Sequence, residues 1–287
     1  MKRILITGAN GQLGNELRLA AERYKQHEYY FTDVDELDIC NKSEISHFVE
    51  SNKIAVIVNC AAYTNVDRAE DQPELCYRIN HEAVQNIADV ACENQLKVIH
   101  ISTDYVFDGK SSFPYTEEMP VAPVTVYGKS KLAGERALHE RAGNAAIIIR
   151  TSWLYSSFGN NFVKTMLRLG AEKDRLNVIF DQVGTPTYAA DLADAILQLT
   201  TSTHFVPGIY HYSNEGVCSW YDFTKAILNT SKIRCEVLPI ETKDYPSRAL
   251  RPHYSVLNKH KIKSTYRLNI PHWKDSLERC LEILTGC

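Results

Sequence analysis

No stretch of the chain approaches the roughly 20 consecutive apolar residues that a bilayer-crossing helix needs, and no membrane association is expected. Nor is there a surplus of charge. Thirty-two Lys and Arg stand against 35 Asp and Glu, a formal −3, which gives no general attraction to nucleic acid or to anionic lipid. An anionic ligand must therefore be held by locally placed cations and backbone N–H groups. No two of the eight cysteines (Cys40, Cys60, Cys76, Cys92, Cys218, Cys235, Cys280 and Cys287) form a CxxC pair, and several lie in apolar periodic segments. They read as reduced thiols serving as small hydrophobes, in a cytoplasmic setting. Internal repeats, low-complexity tracts and metal-ligand spacings are also missing, so no metal site is expected. The start, Met1-Lys-Arg-Ile-Leu-Ile-Thr-Gly8, is basic and then apolar, but the apolar run is too short for a secretion signal and reads as a buried first strand.

What is present is an alternation. Lys2 to Thr7, Tyr29 to Thr32, Ala55 to Cys60, Lys97 to Ser102 and Ala145 to Arg150 are short β-like runs, most of them dense in Val and Ile. Between them Gln12 to Arg23, Lys42 to Ser51 and a long stretch from Pro73 to Asn94 have helical periodicity. Strands separated by helices predict an α/β fold, a Rossmann-like doubly wound parallel sheet with ligands at the carboxyl ends of its strands. Residues 1–150 form this dinucleotide-binding domain. Beyond 150 the pattern loosens into turns rich in Gly and Pro, and 151–287 reads mainly as a smaller α/β substrate lobe. Asp191 to Thr200 reads as a helix, and the segment near 181–205 is expected to return to the first domain.

Gly8, Gly11 and Gly14 lie between the first strand and the first helix. That is where a tight turn, a close approach to phosphate and a close helix–sheet contact are wanted for a pyrophosphate at a helix start. Asp33 ends the second strand, where a carboxylate meets the adenosine ribose and repels a 2′-phosphate; Asp38-Ile39 follows near the adenine. Asn59-Cys-Ala-Ala62-Tyr63-Thr64 ends the next strand with small residues that admit the middle of a dinucleotide. Tyr127 and Lys131 are four residues apart on a helical stretch and share a face. An ammonium there is expected to lower the phenol's pKa towards neutrality and fit it for proton exchange. Ser102-Thr103-Asp104 follows a strand, so its hydroxyls emerge at the ligand edge and can hydrogen-bond a carbonyl oxygen. Together these elements predict a nicotinamide-dependent reductase or dehydrogenase.

These stretches, with Ser102-Thr-Asp-Tyr-Val-Phe-Asp-Gly109 and Tyr127-Gly-Lys-Ser-Lys-Leu-Ala-Gly-Glu135, resemble the extended short-chain dehydrogenase/reductases. Arg150-Thr-Ser-Trp-Leu-Tyr155, Asn160-Asn-Phe-Val-Lys-Thr-Met166, Asp181-Gln-Val-Gly-Thr-Pro-Thr187, Ser219-Trp-Tyr-Asp222 and Arg251-Pro-His-Tyr-Ser-Val-Leu257 narrow the resemblance. Within the superfamily the chain resembles the dTDP-4-dehydrorhamnose reductase family, which closes dTDP-L-rhamnose synthesis. The resemblance implies a triad of Thr103, Tyr127 and Lys131 that reduces the C4 ketone of a dTDP-linked deoxy-keto-sugar with NADPH or NADH. It implies a cofactor lining of Gly8, Gly11, Gln12, Leu13, Gly14, Asp33, Asp38, Ile39, Ala62, Tyr63, Thr64, Ile101, Tyr127 and Lys131. It places Thr103, Asp104 and Trp153 against the sugar. Lys164, Arg248 and Arg251 are candidates for the diphosphate, and Trp220 and Tyr221 for the sugar or thymine faces. Some relatives join subunits through magnesium held by glutamates. Here Glu16 matches one such position but Ala190 stands at another, so no metal bridge is expected, while a homodimer formed by direct packing stays open.

Three other readings compete, the first a sugar-nucleotide dehydratase or epimerase on the same scaffold. A dehydratase on this scaffold needs an Asp-Glu acid/base pair after the threonine, whereas the chain has Thr103-Asp104-Tyr105. The regulatory subunit of methionine adenosyltransferase shares fold and motifs but binds a partner enzyme without turnover, and fold alone does not separate it from a reductase. A related nucleotide-sugar reductase of different stereochemistry is the third alternative.

Overall fold

The computed structural model describes residues 1–286; the thiol of Cys287 lies outside the described residues. Six parallel strands form the central sheet: β1 (Arg3–Thr7), β2 (Glu28–Thr32), β3 (Val56–Asn59), β4 (Lys97–Thr103), β5 (Ala146–Thr151) and β6 (Gly208–His211), in the order β6-β5-β4-β3-β1-β2. The order reverses between β1 and β3, which opens a crevice at their carboxyl ends.

Alternate residues face opposite layers, as strand pleating requires. Ile4, Ile6, Val56, Val58, Ile99, Ile147 and Ile149 bury against the helices Gln12–Ala21 and Ala189–Thr201. Leu5, Ile57, Val98 and Ile148 bury against Lys42–Asn52, Ala83–Glu93 and Val126–Ala142. Both faces are thus covered by apolar side chains, the arrangement an all-parallel sheet needs.

Two features depart from the sequence expectation. Pro73 to Asn94 is not one α-helix: Pro73–Tyr77 and Ala83–Glu93 are separated by a π turn at Arg78–Glu82. The cause is tertiary. Asn80, fully buried, accepts from the Tyr63 N–H at 2.9 Å and donates to the Tyr63 carbonyl at 3.0 Å and to Ser130 Oγ at 3.0 Å. Gly134 of the neighbouring helix sits so close that a Cβ would come within 2.1 Å of the Asn80 carbonyl oxygen. Second, the chain returns to the sheet over a longer span than 181–205. Helix Ala189–Thr201 packs beside Gln12–Ala21, but β6 and then Ile262, Leu268 and Ile270 also join that layer.

The remaining elements gather around a separate apolar cluster. It includes Tyr155, Val163, Phe223, Ile227 and Trp273, carried largely by helices Phe162–Glu172, Trp220–Thr230 and Trp273–Thr285. Beside them Arg175–Ile179 pairs in parallel with Glu236–Ile240. No helix among the described residues is long and apolar enough to cross a membrane. The seven described cysteines are free, with Cys76, Cys218 and Cys280 buried.

Candidate active site

A cleft of about 1030 Å³ runs along the carboxyl ends of the strands, from the glycine turn past Thr103 and Tyr127 to Trp153. Its first wall is built on constraint. Gly8 has φ +67°, and a Cβ there would lie 2.6 Å from the Ala61 nitrogen; one on Gly14 would meet the Gly8 carbonyl oxygen at 2.4 Å. Gly11 is different, because a Cβ would meet only Gly8 O, at 3.3 Å. Its surroundings leave room for a ligand rather than for protein. Gly11 also starts helix Gln12–Ala21 without a side-chain cap, so the first N–H groups keep their bonding capacity for an anion. This cradle fits a dinucleotide pyrophosphate.

Asp33 lines the cleft beside the glycine turn, its carboxylate accepting from the Asn10 N–H at 2.9 Å and the Val34 N–H at 2.9 Å. Asp38, Ile39, Ala62, Thr64 and Ile101 line the same cleft, as do Gln12 and Leu13. Tyr63 does not: its hydroxyl turns to Gln72 Oε1 at 2.9 Å. Arg78, in the π turn, is a cationic lining residue that the sequence gave no reason to choose. Asn161, at the start of helix Phe162–Glu172, also lines the cleft and donates to Gln12 Oε1 at 2.9 Å, joining the two halves of the molecule across it.

Thr103 ends β4, Asp104 begins the following turn, and Tyr127 and Lys131 come from the first turns of Val126–Ala142, which Thr125 caps by accepting from the Gly128 N–H at 3.0 Å. All four line the cleft. Tyr127 is nine-tenths buried, and the Tyr105 ring packs edge-on against it at 5.4 Å. Contrary to the expectation from spacing, Lys131 does not bring the phenol down. Burial raises the Tyr127 pKa above the ordinary phenol range, a hydrogen bond with Thr103 pulls the other way, and Asp104 adds to the rise. Lys131 is itself desolvated, and its pKa is pushed down to about 8. Its Nζ donates to the Ile101 carbonyl at 2.7 Å and lies 3.4 Å from His100 Nε2.

Asp104 is buried, and burial lifts its carboxyl to about 7 against the pull of Thr103. One oxygen accepts from Thr103 Oγ1 at 3.0 Å, while Oδ2 has no hydrogen-bond partner. An unpaired buried acceptor on a residue that lines the cleft suits a ligand hydroxyl. Beneath Thr103, Ser102 donates to Glu135, which takes Arg150 in a two-pronged buried pair at 2.9 and 2.7 Å. Such a pair fixes the strand end and helix relative to each other.

Several candidates fall elsewhere. Lys164 does not line the cleft; its ammonium is held by the carbonyls of Ser157 at 2.8 Å and Gly159 at 3.0 Å. Arg248 pairs with Asp71, and Arg251 pairs with Asp67 while donating to the Tyr105 hydroxyl at 3.0 Å. Both arginines tie residues 248–251 to the first half of the chain instead of lining the cleft. Trp153 does line it, whereas Trp220 stacks behind and Tyr221 packs into the apolar cluster of that half. Glu16 is buried and accepts from Ser156 Oγ at 2.6 Å.

Similarity to known proteins covers the same span. A dTDP-4-dehydrorhamnose reductase of Aggregatibacter actinomycetemcomitans is 41% identical over 288 residues, covering 97% of this chain and 98% of that protein. The crystal structure of a dTDP-4-dehydrorhamnose reductase from Clostridium acetobutylicum superposes with a TM-score of 0.94 at 42% identity, covering 99% of each chain. A dTDP-4-dehydrorhamnose reductase from Bacillus anthracis, solved in complex with NADP, gives 0.92 at 42% identity over 98% of this chain and 99% of that one. The family described as RmlD substrate binding domain matches residues 1–285. The chain belongs to that family.

Proposed function

We propose that the chain is an NAD(P)H-dependent oxidoreductase that reduces the C4 ketone of dTDP-4-dehydro-L-rhamnose to give dTDP-L-rhamnose. One observation carries the reading: Thr103, Tyr127 and Lys131 meet in the same cleft as the glycine turn, in a chain that matches such reductases end to end.

NAD(P)H, when bound, supplies the hydride. The turn at Gly8–Gly14 and the start of helix Gln12–Ala21 hold the pyrophosphate, and Asp33, Asp38 and Ile39 take the adenosine. Lys131, anchored on the Ile101 carbonyl, orients the nicotinamide end with its remaining N–H groups. Tyr127 gives its proton to the C4 oxygen as negative charge develops there. A phenol whose pKa is raised by burial is fully protonated at neutral pH, and an alkoxide is the stronger base, so transfer runs downhill. Thr103 donates to the same oxygen. The Asp104 Oδ2 accepts a neighbouring sugar hydroxyl, and the Trp153 ring packs on the sugar face. The smaller half of the chain, around Trp153 and helix Phe162–Glu172, is the nucleotide-sugar lobe.

A dehydratase reading gains nothing from the site. Where that chemistry needs a glutamate stands Tyr105, half-buried, with its hydroxyl engaged by Arg251.

The test is turnover. Purified protein with dTDP-4-dehydro-L-rhamnose and either NADPH or NADH should show substrate-dependent loss of reduced nicotinamide absorbance, with the product's C4 stereochemistry read by NMR. No loss with either cofactor sinks the proposal.

A further inference from the structure

Thr7, Asn59 and His100 are register partners on three adjacent strands, β1, β3 and β4. In a parallel sheet such residues project from one face as a row, and this face is the one covered by helix Val126–Ala142, which carries Lys131. All three are buried, with His100 fully so. A polar row inside an otherwise Val- and Ile-rich layer must satisfy itself by hydrogen bonds, and here those bonds dictate where each proton lies.

The Ala61 backbone N–H donates to Asn59 Oδ1 at 3.1 Å, and Thr7 Oγ1 donates to the same oxygen at 2.7 Å. A backbone N–H can only donate, so the oxygen of the amide is fixed on that side. The amide nitrogen, Nδ2, then faces His100 Nδ1 at 3.1 Å. It too can only donate, so Nδ1 must be the bare, accepting nitrogen of a neutral imidazole. The ring proton is left on Nε2, which points at Lys131 Nζ from 3.4 Å. The lysine therefore meets the positive end of an N–H bond where a lone pair would have stabilised its ammonium.

We propose that His100 is a positioning residue for Lys131: locked by Asn59 with its proton on Nε2, it denies Nζ an acceptor on the sheet side. The lysine's N–H groups are thereby turned to the Ile101 carbonyl and to the cleft, and its charge is easily lost. The inference rests on the reductase reading for what Lys131 does, though not for the state of the imidazole. The other titratable groups that act on Lys131 are the Glu135 carboxylate and the Cys60 and Cys76 thiols, with Tyr127 one turn earlier on the same helix. Burial keeps both thiols above their ordinary range, Cys60 at about 12, so they are uncharged near pH 8. Tyr127 is protonated there, and the Glu135 carboxylate is taken up by Arg150 and Ser102. Burial likewise holds His100 neutral, its pKa well below the usual imidazole range.

The test has two arms. The first reads ring nitrogen shifts of histidine-labelled wild-type protein by NMR, without substrate. His211, the other fully buried histidine, presents Nδ1 to the Tyr115 carbonyl at 3.0 Å and must carry its proton there. Two non-titrating histidines of opposite tautomer are expected between pH 5 and 9. Two of the same tautomer, or a His100 that titrates in that range, overturns the proposal. The second arm is His100→Gln, whose amide oxygen can accept from Nζ. The alkaline fall of kcat should move up by about one pH unit, with KM for the nicotinamide cofactor changed less than twofold. A rate loss with the alkaline limb in place marks a merely structural role and also overturns it. If wild-type protein shows no turnover, the functional reading fails, and the tautomer measurement still judges His100 by itself.

Discussion

The indole of Trp153 lies flat on that of Trp220, ring centroids 3.5 Å apart and planes 7° from parallel. Phe162 closes on Trp220 at 4.5 Å, so the exposed face of Trp153 is backed by an aromatic stack that reaches into the core of the smaller half. Trp153 also sits at φ +48°, a left-handed backbone that a bulky residue adopts only when its surroundings enforce it. A rigid aromatic wall of this kind suits the apolar face of a sugar ring.

Gly184 makes room for that wall. A Cβ there would lie 2.7 Å from Trp153 Cε2 and 2.4 Å from Ser255 Oγ, so Gly184→Ala must push the indole. If Trp153 positions the sugar, KM for the nucleotide sugar should rise about tenfold, equivalent to about 1.4 kcal/mol. KM for the cofactor should stay within twofold. Steady-state kinetics with each substrate varied separately checks this, and equal effects on both constants would mean a general loss of fold.

Tyr127→Phe keeps the ring that packs against Tyr105 and removes the proton donor. Cofactor affinity, followed by fluorescence titration, should change little, whereas kcat should fall by about 10²–10⁴-fold, the usual worth of a positioned general acid. Near wild-type turnover would remove Tyr127 from that role.

Much of this was legible in the residues. The β-branched runs and the glycine turn predicted five of the sheet's six strands, and the triad and Trp153 were picked from the motifs that now line one cleft. What escaped depends on tertiary contact. The sixth strand, Gly208–His211, is four residues long and starts at a Pro-Gly turn, so it carries no periodic signal. The π turn is imposed by Asn80 and Gly134 across a helix interface. Arg78, a lining residue, lies in that turn. The spacing of Tyr127 and Lys131 indicated a shared helix face, but not that burial would outweigh the ammonium in setting the phenol's pKa. The Lys-Val-Ile-His-Ile pattern did hold an unread clue, since a histidine amid buried strand residues needs a partner.

Asp33 bears on the choice between cofactors. Its carboxylate is held by the N–H groups of Asn10 and Val34 in the cleft, where the proposed function puts the adenosine, with Asp35 and Glu36 following in sequence. A 2′-phosphate there meets like charge. Asp33→Ser should raise the ratio of kcat/KM for NADPH to that for NADH about tenfold, or about 1.4 kcal/mol. An unchanged ratio would place the discrimination at other residues, with Arg78 the first to examine.

Asp104 links function to stability through one unpaired oxygen. Its carboxyl titrates near 7 in the fold, against about 3.9 in an unfolded chain. The unfolded state therefore releases its proton first as pH rises, and from about pH 4 to pH 7 the fold loses stability relative to unfolded chain. Above pH 7 the loss is complete; below pH 4 it is absent. Asp104→Asn removes the titration while keeping an oxygen for Thr103 to donate to. The variant should be more stable than wild type by about 1–4 kcal/mol at pH 8, and by roughly a third of that at pH 5. Denaturant melts of ligand-free protein at the two pH values measure the difference directly. The same substitution should raise KM for the nucleotide sugar, because an amide is a weaker acceptor for the sugar hydroxyl than a carboxylate. A stability gain equal at both pH values would show that the carboxyl is not held near 7, and the case for its oxygen as a ligand acceptor would lose its electrostatic support.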